Sequence, residues 1–115
     1  MLDAMDTDAA SACLEALGQP TRLEVFRLLV KAGEPGLPFG EIQQRTGVPA
    51  STLSHHLATL SRAGLVVQTK QGRQNYSAAA FDAMHALVEF LTAECCTMEP
   101  GCHAAGGCEP AVAEA

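Results

Sequence analysis

Apolar residues recur at helical intervals in four stretches of the chain and alternate with polar ones in a fifth. Cys13, Leu14 and Leu17 mark a first helix over residues 8–17, which Gly18 ends. Pro20 opens a second, with Thr21 and Glu24 at the spacing of a capping box and Leu23, Phe26, Leu29 and Val30 in one apolar stripe. Gly33, Pro35, Gly36 and Pro38 cannot continue that helix, so a turn follows. Segment 39–47 is long enough for a two-turn helix stopped by Gly47. Segment 50–63 follows almost at once, with Leu53, His56 or Leu57, and Leu60 on its buried side. Two helices joined by a tight glycine-containing turn are the helix-turn-helix pattern.

Gly64 closes that helix, and segment 65–77 alternates apolar and polar residues around Gly72, which predicts a β-hairpin. Lys70 and Arg73 flank its tip, where long cations reach along a duplex backbone or into a minor groove. A last helix, from Phe81 to about Cys96, carries Phe81, Met84, Leu87, Val88 and Leu91 at helical spacing, a stripe suited to a core or dimer face. The fold class is therefore mainly α with a small β-hairpin, a winged helix-turn-helix.

Composition sharpens this picture in two places. The 115 residues suit one domain, and 48% hydrophobic content without a bilayer-length apolar run leads us to expect a soluble cytoplasmic protein with no membrane partner. The net charge of −6 argues against a partner as negative as DNA until its distribution is read. From Ile42 to Phe81 there is no carboxylate, while Arg45, Arg62, Lys70 and Arg73 give that window a formal charge of +4. Within it, the exposed side of segment 50–63 offers Ser51, Thr52, Ser54, His55, Thr59 and Arg62. These are short hydrogen-bonding groups and a cation, able to enter a major groove of double-stranded DNA without repelling phosphates.

Segments 19–29 (QPTRLEVFRLL), 51–57 (STLSHHL), 63–66 (AGLV) and 72–76 (GRQNY) together resemble the ArsR/SmtB family of winged-helix metalloregulatory repressors, over roughly residues 10–92. The resemblance implies a homodimer, joined through its first and last helices, that holds a two-fold operator until an inducer releases it. It places Ser51, Thr52, Ser54 and His55 at bases or phosphates and Lys70, Arg73 and Gln74 in the wing. His56 falls where a hydrogen-bonded structural residue is favoured over a base contact. Two inducer sites common in the family are missing. Residues 37–45 hold no cysteine pair, and Asp82, His85 and Glu89 lack the paired spacing of a zinc site.

The remaining chemistry is in thiols. Cys95, Cys96, Cys102 and Cys108 crowd the last fifth of the chain, a placement unlike a disulfide framework and suited to free thiols in a reducing compartment. Adjacent helical residues diverge by about 100°, so Cys95 and Cys96 can converge only where the helix ends. Pro100 and Gly101 then let the chain fold back with Cys102. Three thiolates form a pyramidal pocket for trivalent arsenic or antimony, whereas zinc normally takes a fourth ligand, here His103 or Cys108. A subgroup of arsenic repressors carries such a Cys-Cys pair and third cysteine at the end of the last helix, and residues 95–102 resemble it. The expected ligands are Cys95, Cys96 and Cys102. Cys108 reads as a spare thiol, and Cys13 as a small buried hydrophobe.

The expected organisation is a DNA-binding and dimerisation domain over residues 1–96 and a thiol-bearing tail over 97–115. No resident cofactor is expected, and arsenic or antimony acts as inducer. A redox switch or a zinc or cadmium sensor on the same scaffold, and a thiol metal-trafficking protein, stand as alternatives. No Cys, His and acid arrangement and no phosphate-cradling glycine loop supports an enzyme.

Overall fold

The computed structural model describes residues 5–98, so the sites expected at Cys102, His103 and Cys108 lie outside the described residues. Helix α1 (Thr7–Leu17) begins where Asp6 accepts a hydrogen bond from the amide of Ala9 at 2.8 Å. Its buried residues are the small Ala10, Cys13 and Ala16, while Leu14 faces outward. Helix α2 (Pro20–Ala32) is capped two residues earlier than the Thr21/Glu24 pattern predicts. Pro20 takes the first turn, where its missing amide costs nothing, and the Gln19 side chain caps Arg22. Val25, Phe26 and Leu29 enter the core, and Leu23, expected in the stripe, is largely exposed.

Strand β1 (Leu37–Pro38) emerges from the Gly/Pro turn, a strand the hydrophobic pattern was too short to reveal. It pairs antiparallel with strand β3 (Gln74–Ala79), and β3 pairs in turn with strand β2 (Val66–Gln71), giving a three-stranded sheet in the order β1-β3-β2. The wing is thus a hairpin with an added edge strand. Pro38 is tolerated because an edge residue can face away from the ladder. The hairpin runs in register from Val66 opposite Ala79 to Gln71 opposite Gln74, leaving Gly72 and Arg73 as a two-residue turn. Gly72 takes a φ of 63° and Arg73 does not take a positive φ, the sign pattern of a type II′ turn.

Helix α3 (Phe39–Thr46) and helix α4 (Ala50–Arg62) match the two predicted helices of the motif. Gly47 between them is left-handed at φ 76°, and Thr46 braces the turn by donating to the carbonyl of Ile42 at 2.8 Å. Leu53, His56, Leu57 and Leu60 form the buried side of α4. They meet Val25, Phe26 and Leu29 of α2, Ile42 of α3, and Leu65 and Val66 at the start of the wing in one core. Each such leucine contributes roughly 1.5–3 kcal/mol by leaving water.

Helix α5 (Phe81–Thr92) stops four residues short of the predicted end at Cys96. The Thr92 hydroxyl turns back to donate to the Val88 carbonyl at 3.0 Å. Ala93 is extended, and Glu94 and Cys96 both take positive φ. Only Leu87 of α5 is fully buried, with Phe81, Met84 and Phe90 partly covered. No helix among the described residues is long and apolar enough to cross a membrane.

One glycine is fixed by space as well as by angle. Gly36 has φ 96°, and a Cβ there would come within 2.0 Å of the Ser77 carbonyl oxygen, whereas a Cβ on Gly47 would meet open space. Gly47→Ala should therefore cost about 1–2 kcal/mol for its left-handed angle. Gly36→Ala should cost more than about 4 kcal/mol, since backbone must move as well. Urea unfolding of both variants checks this, and equal midpoints would contradict it.

Candidate nucleic-acid interface and thiol site

The outward side of α4 keeps Ser51, Thr52, Ser54, His55 and Arg62 exposed, with Thr59 half-buried beside them. Arg62 reaches Thr59 Oγ1 at 3.4 Å. No side chain caps α4 and no acidic residue lies in its first turn, so its amino-terminal amides suit a phosphate oxygen. Helix α4 leads directly into β2, and Lys70, Arg73 and Gln74 stand exposed at the far end of that hairpin. The structure thus gathers the predicted residues onto two elements, a recognition helix and a wing. Arg45 is spent differently: its Nε donates to Glu41 at 2.9 Å, one turn away. A carboxylate just outside the basic window offsets one of its four cations.

His56 is turned inward and is 7% exposed, in keeping with the structural role expected of it. Arg22 Nη1 lies 3.3 Å from its Nδ1. Because guanidinium can only donate, Nδ1 must be the accepting, unprotonated nitrogen. Burial, then the Arg22 charge, then His55 hold its pKa below the ordinary value. Arg22 also donates from Nε to the Ala16 carbonyl at 2.6 Å, so one side chain bridges α1 and α4. Sequence reasoning missed this role, since nothing in a helix-opening Pro-Thr-Arg announces a partner 34 residues on.

The thiols stand just past the end of α5. Cys95 is exposed and free, and its Sγ lies 3.2 Å from that of Cys96. The positive φ values of Glu94 (58°) and Cys96 (64°) bring the two neighbours together, a convergence that an unbroken helix forbids. Cys96 is disulfide-bonded, so the expectation of a reduced cluster holds for Cys95 and not for Cys96. No group of three His, Cys, Asp or Glu side chains among the described residues forms a metal site, and the pair would need a third ligand from beyond residue 98. Cys13 is unrelated chemistry: it is buried, its Sγ lies 3.5 Å from the Ala63 carbonyl, and burial pushes its pKa up.

Helices α1 and α5 pack together, and each leaves large apolar residues in water. Leu14 is 44% exposed on α1, and Val88 and Leu91 are 53% and 57% exposed on α5. A helix-turn-helix, a hairpin wing with exposed cations and a sheet of this topology define a winged helix-turn-helix DNA-binding protein.

Comparison with known proteins places it further. A helix-turn-helix domain model matches residues 17–69. The chain is 31% identical over 84 residues to the HTH-type transcriptional regulator YgaV of Escherichia coli, covering 73% of this chain and 83% of that protein. It is 36% identical over 74 residues to a Halobacterium salinarum protein provisionally named arsenical resistance operon repressor ArsR2, covering 64% of this chain and 60% of that protein. Among solved structures, it superposes on the homodimeric winged helix-turn-helix DNA-binding domain Mb0332 of Mycobacterium bovis, described as "a possible ArsR-family transcriptional regulator". That match has a TM-score of 0.61 and 26% identity, over 82% of this chain and 92% of that one. The chain belongs to the helix-turn-helix transcriptional regulators, and its fold is shared with solved proteins described as ArsR-family.

Two outcomes follow from the site. Iodoacetamide on the native protein should label Cys95 well before Cys13, as peptide mass spectrometry would report; equal labelling would contradict the buried placement of Cys13. Because the folded pKa of His56 is lowered, the unfolded chain takes up its proton first as pH falls below about 6.5. Stability from this group is therefore complete above that pH and is lost on acidification until native His56 also protonates. Urea midpoints at pH 7.5 and 5.5 should fall further in wild type than in His56→Asn, which keeps an acceptor and does not titrate. Equal falls would count against it.

Proposed function

We propose that this chain is a homodimeric repressor that holds a two-fold operator and releases it when trivalent arsenic, or antimony, binds Cys95, Cys96 and Cys102. The observation that carries the reading is the approach of two vicinal sulfurs to 3.2 Å at the end of α5, next to the helix face that exposes Val88 and Leu91. Those residues, with Leu14 of α1, form the seam between protomers; similarity to a homodimeric Mycobacterium protein supports the dimer itself. Soft thiolates prefer a soft ion, and a three-sulfur site needs no fourth ligand. Similarity to a protein named for arsenical resistance favours arsenic.

Release follows from placement. An ion that draws residues 95–102 together reshapes the carboxyl end of α5, hence the seam, hence the distance between the two recognition helices. Ser51, Thr52, Ser54, His55 and Arg62 meet one groove, with Lys70, Arg73 and Gln74 on the flanking backbone, so a changed half-site spacing removes contacts from one half-site. A coupling of about 1–3 kcal/mol is typical for such an effect and lowers affinity by roughly 5–150-fold.

A second reading rests on Cys96 being disulfide-bonded. On the same scaffold, oxidation of the cluster would move the same helix end, and the protein would sense oxidants. The two readings separate in one titration. Reduced wild type on a labelled operator duplex should lose affinity with arsenite and keep it in the Cys95→Ser/Cys96→Ser/Cys102→Ser variant. Equal response of both proteins excludes the site, and release by peroxide alone selects the redox reading.

A further inference from the structure

We propose that Arg22 is the positioning residue through which the seam helices set the pose of the recognition helix. The inference rests on the DNA-binding part of the reading above and not on the identity of the inducer.

Arg22 is the third residue of α2, and its own amide is held by the Gln19 side chain at 2.8 Å. From that fixed base its Nε donates to the carbonyl of Ala16 in the last turn of α1 at 2.6 Å. Its Nη1 meets His56 Nδ1 on α4 at 3.3 Å. The guanidinium is planar and rigid, so the two donors are fixed relative to each other. A slide of α1 against α4 by about 1 Å takes one of these bonds out of hydrogen-bond range. The other links between the two helices are apolar contacts and a Cys13 sulfur 3.5 Å from the Ala63 carbonyl. Contacts of that kind are weakly directional and tolerate sliding. Glu15 lines the same cleft of about 300 Å³ as Arg22, Thr59 and Arg62, yet Arg22 makes its bonds to a carbonyl and an imidazole lone pair instead. Its bonds therefore fix direction and do not neutralise charge.

The consequence for DNA is specific. His56 lies between His55, on the exposed face, and Leu57, in the core. Holding the His56 ring fixes the rotation of α4 about its axis, and so the angle at which Ser51, Thr52, Ser54 and His55 enter a groove. Non-specific binding depends on phosphate contacts and is far less sensitive to that angle.

The test uses the full chain, reduced, with two fluorescent duplexes of equal length. One is selected by the wild type from a randomised library and the other is scrambled. Arg22→Gln and His56→Leu should each weaken the selected duplex roughly tenfold, and the scrambled duplex by less than about twofold with an unchanged salt slope. His56→Asn, whose Oδ1 takes the place of Nδ1, should bind as wild type. The Arg22→Gln/His56→Leu double variant should be no weaker than either single one. Thermal melts and sedimentation confirm folded dimers. Arg22→Lys, which can satisfy only one partner at a time, serves if the other variants do not fold, and should also lose selected-duplex affinity.

Wild-type affinity in folded His56→Leu or Arg22→Lys would overturn the proposal. A parallel loss on both duplexes with a shallower salt slope would also overturn it, by making Arg22 a phosphate contact. If the wild type selects no duplex at all, the DNA-binding reading fails first and the inference with it.

Discussion

The fold depends on the burial of one side of α4. Leu53, Leu57 and Leu60 give that helix an apolar face that docks on α2, α3 and the base of the wing, and this docking leaves the opposite face free for short polar residues. Burial of such a face is strong and settles which side of the helix points inward, but being non-directional it leaves the fine rotation and slide to other contacts. His56, the polar member of the buried face, supplies the missing direction through Arg22. Core packing and a polar tether thus divide the task of presenting a recognition surface.

The same division recurs at the other end of the molecule. Helix α5 commits only Leu87 fully to the core and leaves Val88 and Leu91 in water, so its position is set by whatever covers that face. A helix held this lightly is a natural place for a ligand to act. The backbone beyond Thr92 departs from helical angles at Ala93, Glu94 and Cys96, and in that irregular turn the vicinal sulfurs meet. On the proposed reading, inducer chemistry and dimer packing are in this way neighbours along a few residues of chain.

Much of this was legible in the sequence because it rests on local rules. The order of helices, the Gly47 turn, the hairpin around Gly72 and the polar side of α4 all follow from periodicity and from residues with special backbone angles. The misses have physical causes as well. Leu14 and Leu23 looked like core because periodicity cannot distinguish a face buried within one chain from one left exposed on it, and the small Ala10, Cys13 and Ala16 filled the core instead. The cap of α2 moved to Gln19 because Pro20 claims the first turn. Strand β1 is two residues long and exists only through its pairing with Ser77 and Tyr76. The Arg22–His56 bridge and the Arg45–Glu41 pair are tertiary and rotameric facts with no pattern of their own. At the thiol site, the end of the helix was foreseen in kind and displaced by four residues, since no residue type announces the back-bonding of Thr92.

The central claim is that thiols at the end of α5 close around a soft ion. X-ray absorption at the arsenic edge on the reduced, arsenite-loaded protein measures it most directly, by counting the sulfur atoms bound to arsenic and their distances. The account predicts three sulfurs at one distance. Two sulfurs with an oxygen, or no sulfur at all, would contradict it.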